Sequence, residues 1–140
     1  MERDRSRTET PHFAAAVNAF VSALDGRIAP GATSFPDLFA DDGVIEVPFD
    51  GAGDGAPIVG RPAIETMAGS LEGFLWFDEV TFHSVLATAD PSRVMCEYEA
   101  VLRRADRDGP LRRRYVAVLT LREGRIAHLR EYGGPFIPLG

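Results

Sequence analysis

The residue of this sequence best suited to proton transfer is a glutamate near the end of the chain, Glu131. Residues 124–132 begin with a glycine and continue with alternating residue types, which predicts a hairpin turn followed by a strand. A period of two places Ala127, Leu129 and Glu131 on one face, and Ile126, His128 and Arg130 on the other. A glutamate is rarely buried without a partner, and desolvation in an apolar pocket raises the pKa of a carboxyl toward neutral pH. Glu131 is therefore a candidate general acid or base.

A tyrosine on another predicted strand can assist this carboxyl. Within residues 94–102 the even-numbered positions are all apolar or aromatic, whereas Glu97 and Glu99 fall on the opposite face. We therefore expect Tyr98 and Ala100 to point inward, where the Tyr98 hydroxyl can orient Glu131 or donate to a substrate oxygen. Both residues also have a structural interpretation: Tyr98 as a core aromatic with a satisfied hydroxyl, and Glu131 as a rim group or the partner of an arginine.

The elements that must position these residues are strands, which fill the second half of the chain. Strands are predicted over residues 79–87, 93–104, 111–121 and 125–132, with turns at 90–92, 108–110 and 123–124. Helices are predicted over 10–26, 35–40 and 62–73, a strand over 44–49, and a glycine-rich loop over 50–60. Helices followed by an antiparallel meander indicate an α+β fold, in which a bent sheet wraps around the helices and encloses a cavity.

Composition and charge limit the classes of partner. The chain has 140 residues, which suits one domain over residues 10–140 after a flexible polar arm over residues 1–9. A net charge of -6 argues against nucleic acid and against a basic membrane-surface role, and no apolar run approaches the roughly 20 residues of a membrane helix. Cys96 is the only cysteine, so no intrachain disulfide can form and a cytoplasmic location is expected.

A metal site is not expected from this sequence. The three histidines, His12, His83 and His128, lie far apart and lack the spacing of a metal-ligand motif. Cys96 falls on the apolar phase of its strand, which favours a buried inert thiol over a nucleophile. The strand register leaves the facing of His83 open.

Three motifs together resemble a known superfamily. They are residues 37–48 (DLFADDGVIEVP), 59–64 (VGRPAI) and 124–132 (GRIAHLREY). With the strand spacing, they make roughly residues 10–135 similar to the nuclear transport factor 2-like superfamily, which includes ketosteroid isomerases, limonene-type epoxide hydrolases and SnoaL-like polyketide cyclases. The resemblance implies a cystatin-like fold: a cone-shaped half-barrel of a curved, mostly antiparallel sheet wrapped on three N-terminal helices, with a pocket inside the cone.

The catalytic groups of ketosteroid isomerases are absent at the matching positions. The resemblance puts Val47 where those enzymes carry their base aspartate, and Phe20 and Ala117 where they carry oxyanion-hole groups. None of these three side chains can donate or accept a proton. Isomerisation by that mechanism is therefore not expected.

Epoxide hydrolases of this fold match the chain at one acidic position. Their Arg and Asp pair falls on Tyr98 and Ala100, and the Asp of their last strand falls on Glu131. The SnoaL-like cyclases and phenazine-biosynthesis members, which use acid/base catalysis on bulky cyclic substrates, resemble the chain better. In this superfamily the outer sheet face often forms a homodimer, which implies that His128 and Arg130 are interface or solvent groups.

Strand parity and the resemblance together predict a mostly apolar pocket. Its expected lining is Phe20, Val47, Phe49, Phe82, Tyr98, Ala100, Tyr115, Ala117, Leu129 and Glu131. Such a pocket suits a small hydrophobic or polycyclic molecule. The first functional hypothesis is an acid/base enzyme of cyclase, isomerase or hydrolase type that needs no cofactor, in which Glu131 transfers the proton and Tyr98 assists. The alternative is a non-catalytic small-ligand-binding or dimerisation module.

Overall fold

One curved sheet accounts for most of the residues that the structure describes. The computed structural model describes residues 35–48 and 56–139. Its elements are a 3₁₀ helix (Phe35–Leu38), β1 (Phe39–Glu46), β2 (Ile58–Val59), helix α1 (Arg61–Leu71), β3 (Leu75–Ala87), β4 (Arg93–Arg104), β5 (Leu111–Arg122), β6 (Arg125–Gly133) and β7 (Ile137–Pro138). The strands lie in the order β2-β1-β6-β5-β4-β3, with β7 paired to β5. Every pairing is antiparallel except that of β1 with β6, which confirms the α+β class and the mostly antiparallel sheet.

The predicted meander of four long strands is confirmed. β4 has the predicted bounds, β5 and β6 each run one residue further, and β3 begins at Leu75 instead of residue 79. The turn between β5 and β6 consists of Glu123 and Gly124, because Arg122 pairs directly with Arg125. Both turn residues have positive φ, 54° and 79°. Two such residues form a type I′ turn, whose twist matches that of the flanking strands.

The three predicted helices are confirmed only in part. Helix α1 corresponds to the helix predicted over 62–73, whereas the one predicted over 10–26 lies outside the described residues. The helix predicted over 35–40 is wrong in its second half, because the 3₁₀ helix ends at Leu38 and Phe39 already pairs with Ile126 of β6. This pairing keeps the backbone extended and buries Phe39 completely. β1 therefore begins at Phe39 instead of residue 44.

An extra residue in β6 changes which side chains face the core. Ala127 is inserted as a β-bulge opposite the junction between Thr120 and Leu121. The insertion returns Ile126 to the same face as Leu129, and their exposed fractions are 1% and 3%. The prediction that Ile126 lies on the outer face is therefore wrong. From residue 128 onward the predicted phase holds, because Leu129 and Glu131 pair with the buried residues Leu119 and Ala117.

Helix α1 packs on the sheet through one buried side chain. Gly60 precedes the helix with a φ of 91° and donates its N–H to the Gly43 carbonyl at 2.7 Å, and Pro62 occupies the first turn. Ile64 is 0% exposed and belongs to the core formed by the inward residues of the sheet. Among the described residues, no helix is long and apolar enough to span a membrane.

Replacing Ile64 with alanine is expected to lower the free energy of unfolding by about 2–5 kcal/mol, because it leaves a cavity under α1. Urea unfolding followed by circular dichroism measures this loss. The control is Glu65→Ala on the exposed side of the same helix, which is expected to change the free energy by no more than about 0.5 kcal/mol. Equal effects of the two substitutions would contradict the role of Ile64 as the anchor of α1.

Candidate active site

The Tyr98 ring lies in a stack of three aromatic side chains from neighbouring strands. Its centroid is 5.0 Å from that of Phe82 on β3 and 4.8 Å from that of Tyr115 on β5, with interplanar angles of 14° and 15°. Tyr98 is only 1% exposed. Packing against both neighbours restricts the ring to one orientation, so the hydroxyl has a defined direction.

The Tyr98 hydroxyl donates a hydrogen bond to Oε2 of Glu131. Tyr98 lies on β4 and Glu131 on β6, with β5 between them. Ala117 on β5 pairs directly with Glu131 and is 0% exposed. Neighbouring strands are about 4.8 Å apart, so β4 and β6 are separated by about 10 Å. The small side chain of Ala117 leaves the space in which the two long side chains meet.

Tyr98 keeps its proton in this environment. Burial raises the pKa of Tyr98 well above its ordinary value, and the charge and hydrogen bond of Glu131 raise it further. The phenol is therefore neutral at physiological pH and acts as the donor to a carboxylate oxygen. Glu131 itself is only half-buried, in contrast to Tyr98.

The other described residues of the predicted pocket gather in one apolar cluster around Tyr98. Ala100, Tyr115, Ala117 and Leu129 are buried in this cluster, and Val47 and Phe82 are partly buried against it. Phe20 and Phe49 lie outside the described residues. The hydrogen-bonded pair is therefore a polar feature within a mainly apolar cluster.

Arg113 is a buried cation on the same face, and sequence reasoning did not single it out. It is 8% exposed, and its Nε donates to the Gly134 carbonyl at 2.7 Å. Its Cζ lies 4.2 Å from the ring centroid of Phe136 and 5.0 Å from that of Tyr115. Strand alternation could have predicted its inward position, because Arg113 lies two positions before Tyr115 and must share the same face of the strand.

Gly133 provides the space that this guanidinium occupies. A Cβ atom at residue 133 would lie 2.4 Å from both Cζ and Nη2 of Arg113. Gly133 is also the residue of β6 that pairs with Tyr115. A side chain at residue 133 would therefore force the guanidinium to move away from its present position beside the Tyr115 ring.

Glu46 forms a cluster of charged side chains with His128 and Arg130 on the outer face of the sheet. Its Oε1 is 2.8 Å from His128 Nε2 and accepts a hydrogen bond from Arg130 Nε at 3.3 Å. The bond from Arg130 is the main cause that lowers the pKa of Glu46, and His128 adds to it. The parallel pairing of β1 with β6 produces the cluster, because it sets Glu46 opposite Arg130.

A cavity of about 380 Å³ is lined mainly by outward-facing residues. They are His83, Glu97, Tyr98, Arg114, Tyr115, Val116, Tyr132, Gly133 and Gly134. Tyr98 and Tyr115 are the residues that it shares with the predicted lining, and Glu131 is not part of it.

His83 is the extra residue of a β-bulge in β3, and its side chain is 45% exposed and lies 3.4 Å from Glu99. His83 directly follows Phe82, which packs against the core, and its side chain therefore faces outward.

Cys96 and the histidines do not form a reactive or metal-binding cluster in the described part of the chain. Within residues 35–48 and 56–139, no three His, Cys, Asp or Glu side chains are arranged to hold a metal ion. Burial raises the pKa of the Cys96 thiol to about 12. The thiol is therefore protonated at neutral pH and is a poor nucleophile, as its position on the apolar phase predicted.

Comparison with known proteins identifies the family. The SnoaL-like domain matches residues 16–129, which is most of the chain. The chain therefore belongs to the SnoaL-like family. Its fold is that of the nuclear transport factor 2-like superfamily, as the three sequence motifs implied.

Individual relatives are similar to this chain at low sequence identity. The uncharacterised protein YesE of Bacillus subtilis strain 168 is 26% identical over 104 residues, which are 74% of this chain and 71% of YesE. A solved candidate isomerase from Bacillus subtilis has a TM-score of 0.78 at 22% identity, covering 90% of this chain and 91% of that chain. A solved LEH-like epoxide hydrolase from M. tuberculosis has a TM-score of 0.66 at 25% identity, covering 90% and 85%.

The raised pKa of Tyr98 is expected to make its contribution to stability depend on pH. The unfolded chain releases this proton near pH 10, whereas the folded chain holds it to higher pH, so the contribution is complete below about pH 10 and is lost as pH rises above it. The difference in unfolding free energy between the native chain and Tyr98→Phe should therefore be constant below about pH 10. Above that pH it should fall by up to about 1.4 kcal/mol per pH unit.

Urea unfolding of both proteins from about pH 8 to about pH 11.5 measures this difference. Cys96 also titrates in this range, since its thiol pKa is raised from 9.0, but it is present in both proteins and cancels. A difference that stays constant above pH 10 would show that Tyr98 titrates as it does in the unfolded chain.

Proposed function

We propose that this SnoaL-like protein is an acid/base enzyme that acts without a cofactor on a small hydrophobic or polycyclic molecule. Glu131 transfers the proton, and Tyr98 holds the carboxylate in position. The observation that carries the proposal is the hydrogen bond from the buried Tyr98 hydroxyl to Glu131 across Ala117. A carboxylate held in one direction on an apolar face is suited to accept and return a proton.

The surroundings of the pair favour a cyclic or aromatic substrate. Phe82 and Tyr115 flank the Tyr98 ring, and Phe77 packs against Tyr115 with centroids 6.3 Å apart. Leu129, on the same face as Glu131, is buried. Aromatic and aliphatic walls with a small number of polar groups bind planar apolar molecules and orient them through those polar groups.

Two reaction types fit a single proton-transferring carboxylate. In the first, Glu131 removes a proton from a carbon next to a carbonyl group and returns it elsewhere on the same molecule, as in isomerisation or ring closure. In the second, Glu131 takes a proton from water as the water oxygen bonds to an epoxide carbon and the C–O bond of the ring breaks, and Glu131 then gives that proton to the released oxygen to form the diol. The candidate isomerase from Bacillus subtilis and the LEH-like epoxide hydrolase from M. tuberculosis share the fold, which supports testing both types.

Replacing Glu131 with glutamine is expected to reduce turnover by about 10²–10⁴-fold, because the amide has nearly the same size but cannot accept the proton. The probes are cyclohexene oxide, assayed for the diol, and a β,γ-unsaturated cyclohexenone, assayed for the conjugated isomer. Tyr98→Phe should reduce turnover by about tenfold through loss of one hydrogen bond. Glu97→Gln, on the outer face of the same strand as Tyr98, is the control and should leave turnover unchanged.

Turnover that is unchanged in Glu131→Gln would show that the catalytic assignment is wrong. If neither probe is converted while naphthol binds with a change in its fluorescence, the non-catalytic ligand-binding function is favoured instead. If the native chain does not bind naphthol and converts neither probe, both the catalytic and the ligand-binding functions are disfavoured.

A second candidate function is dimerisation through the outer face, and the charges on that face favour it. Glu99 lies 3.4 Å from His83 and accepts a hydrogen bond from Arg114 at 3.1 Å, beside the outer cavity. A two-fold interface brings the same patch of both subunits together and must be self-complementary. A patch that carries both signs of charge meets this requirement.

Arg114→Glu is expected to weaken such a homodimer, because it adds a negative charge to a patch that already holds Glu97 and Glu99. Sedimentation velocity at several protein concentrations measures the effect as a rise of tenfold or more, on the order of 1.4 kcal/mol, in the dissociation constant. Arg107→Glu, at an exposed residue of the turn before β5, is the control. A native chain that sediments as a monomer throughout would remove the dimer from consideration.

A further inference from the structure

We propose that Arg113 is a positioning residue that keeps Tyr98 and Glu131 aligned, acting through the ring of Tyr115 and through the end of β6. The proposal rests on the proposed function for its catalytic meaning, whereas the alignment itself is a property of the chain without ligand. Arg113 acts through other residues, and no contact with substrate is required of it.

The first route from Arg113 to the pair runs through aromatic rings. The guanidinium Cζ lies 5.0 Å from the Tyr115 centroid, and the Tyr115 ring stacks on Tyr98 at 4.8 Å. Without the guanidinium, Tyr115 loses a contact that limits its tilt. Because Tyr98 is packed between Tyr115 and Phe82, a tilt of Tyr115 moves the Tyr98 hydroxyl relative to Glu131.

The second route runs through the backbone at the end of β6. Arg113 Nε donates to the Gly134 carbonyl at 2.7 Å, and the Gly134 N–H donates to the Arg114 carbonyl at 2.9 Å. Both bonds fasten β6 to β5 just beyond the last regular pair, which is Tyr115 with Gly133. Glu131 lies two residues before Gly133, so the position of its carboxyl depends on how this strand end is held.

The residues around the Arg113 guanidinium fit a planar cation. Gly133 has no Cβ where the guanidinium lies, and the Phe136 ring covers the guanidinium with Cζ 4.2 Å from its centroid. The residue is 8% exposed, although arginine is rarely this buried. A lysine would keep the charge but has a compact ammonium without a planar surface to stack on rings. We therefore expect the shape of the side chain to matter in addition to its charge.

Nuclear magnetic resonance of the ligand-free chain of 140 residues tests the proposal, with isotope-labelled tyrosine Cζ and with the Tyr98 signals assigned by Tyr98→Phe. The Tyr98 hydroxyl proton and its Cζ report directly on the hydrogen bond to Glu131. Arg113→Met is expected to shift the Cζ signal and to abolish the resolved hydroxyl signal, and Arg113→Lys is expected to do the same. Arg112→Met removes a neighbouring exposed cation from the outer face of β5, and should leave both signals unchanged.

Gly133→Ala provides the same test with Arg113 retained. It replaces the Arg113 variants if circular dichroism shows that they are unfolded. Its Cβ occupies the position of the guanidinium, so the same change in the Tyr98 signals is expected. Unchanged Tyr98 signals in a folded Arg113→Met or Gly133→Ala chain, or full restoration by lysine, would overturn the positioning role. The readout needs no substrate, so this failure is distinguishable from unchanged turnover in Glu131→Gln, which concerns the proposed function.

Discussion

The buried hydroxyl of Tyr98 needs an acceptor among mainly apolar neighbours, and much of the surrounding structure meets that need. A buried hydroxyl without a partner costs about 1–3 kcal/mol, a substantial part of the about 5–15 kcal/mol that keeps a domain folded. Glu131 supplies an acceptor from two strands away. A hydrogen bond across β5 requires a residue as small as Ala117 on that strand. It also requires aromatic rings that fix the orientation of Tyr98. The choice of side chain on each of the four long strands is therefore linked through one hydrogen bond.

A continuous series of contacts extends from this bond to the segment after β6. It runs from Glu131 and Tyr98 through Tyr115 and Arg113 to Phe136. Flat groups in direct contact transmit small displacements to one another. The segment that carries Phe136 and β7 therefore helps to hold the inward-facing side chains in place, in addition to pairing with β5. The same reasoning explains why a buried cation is tolerated there, since the rings and the Gly134 carbonyl replace part of its hydration.

The sequence predicts best those features that depend on neighbours along the chain. Strand alternation predicted the inward facing of Tyr98, because every second residue of an uninterrupted strand must face the same way, and the turn residues at 90–92 and 108–110 predicted the bounds of β4. Alternation failed at Ile126 because the bulge at Ala127 is defined by the partner strand. The early start of β1 at Phe39 depends in the same way on pairing with a strand far along the chain. Alternation also places Arg113 on the face of Tyr115, but the contacts that bury its charge come from residues 133–136 on another part of the chain.

The irregular course of β3 has a further consequence for the behaviour of the protein at high concentration. Within the described residues β3 is the last strand of the sheet and is 13 residues long. A straight strand of that length would present a row of amide and carbonyl groups to any other extended chain. Bulges at Asp78 and His83 interrupt this row, and both extra residues are exposed and polar. Such interruptions disfavour the addition of a foreign strand, so the extra residues Asp78 and His83 also protect β3 against aggregation.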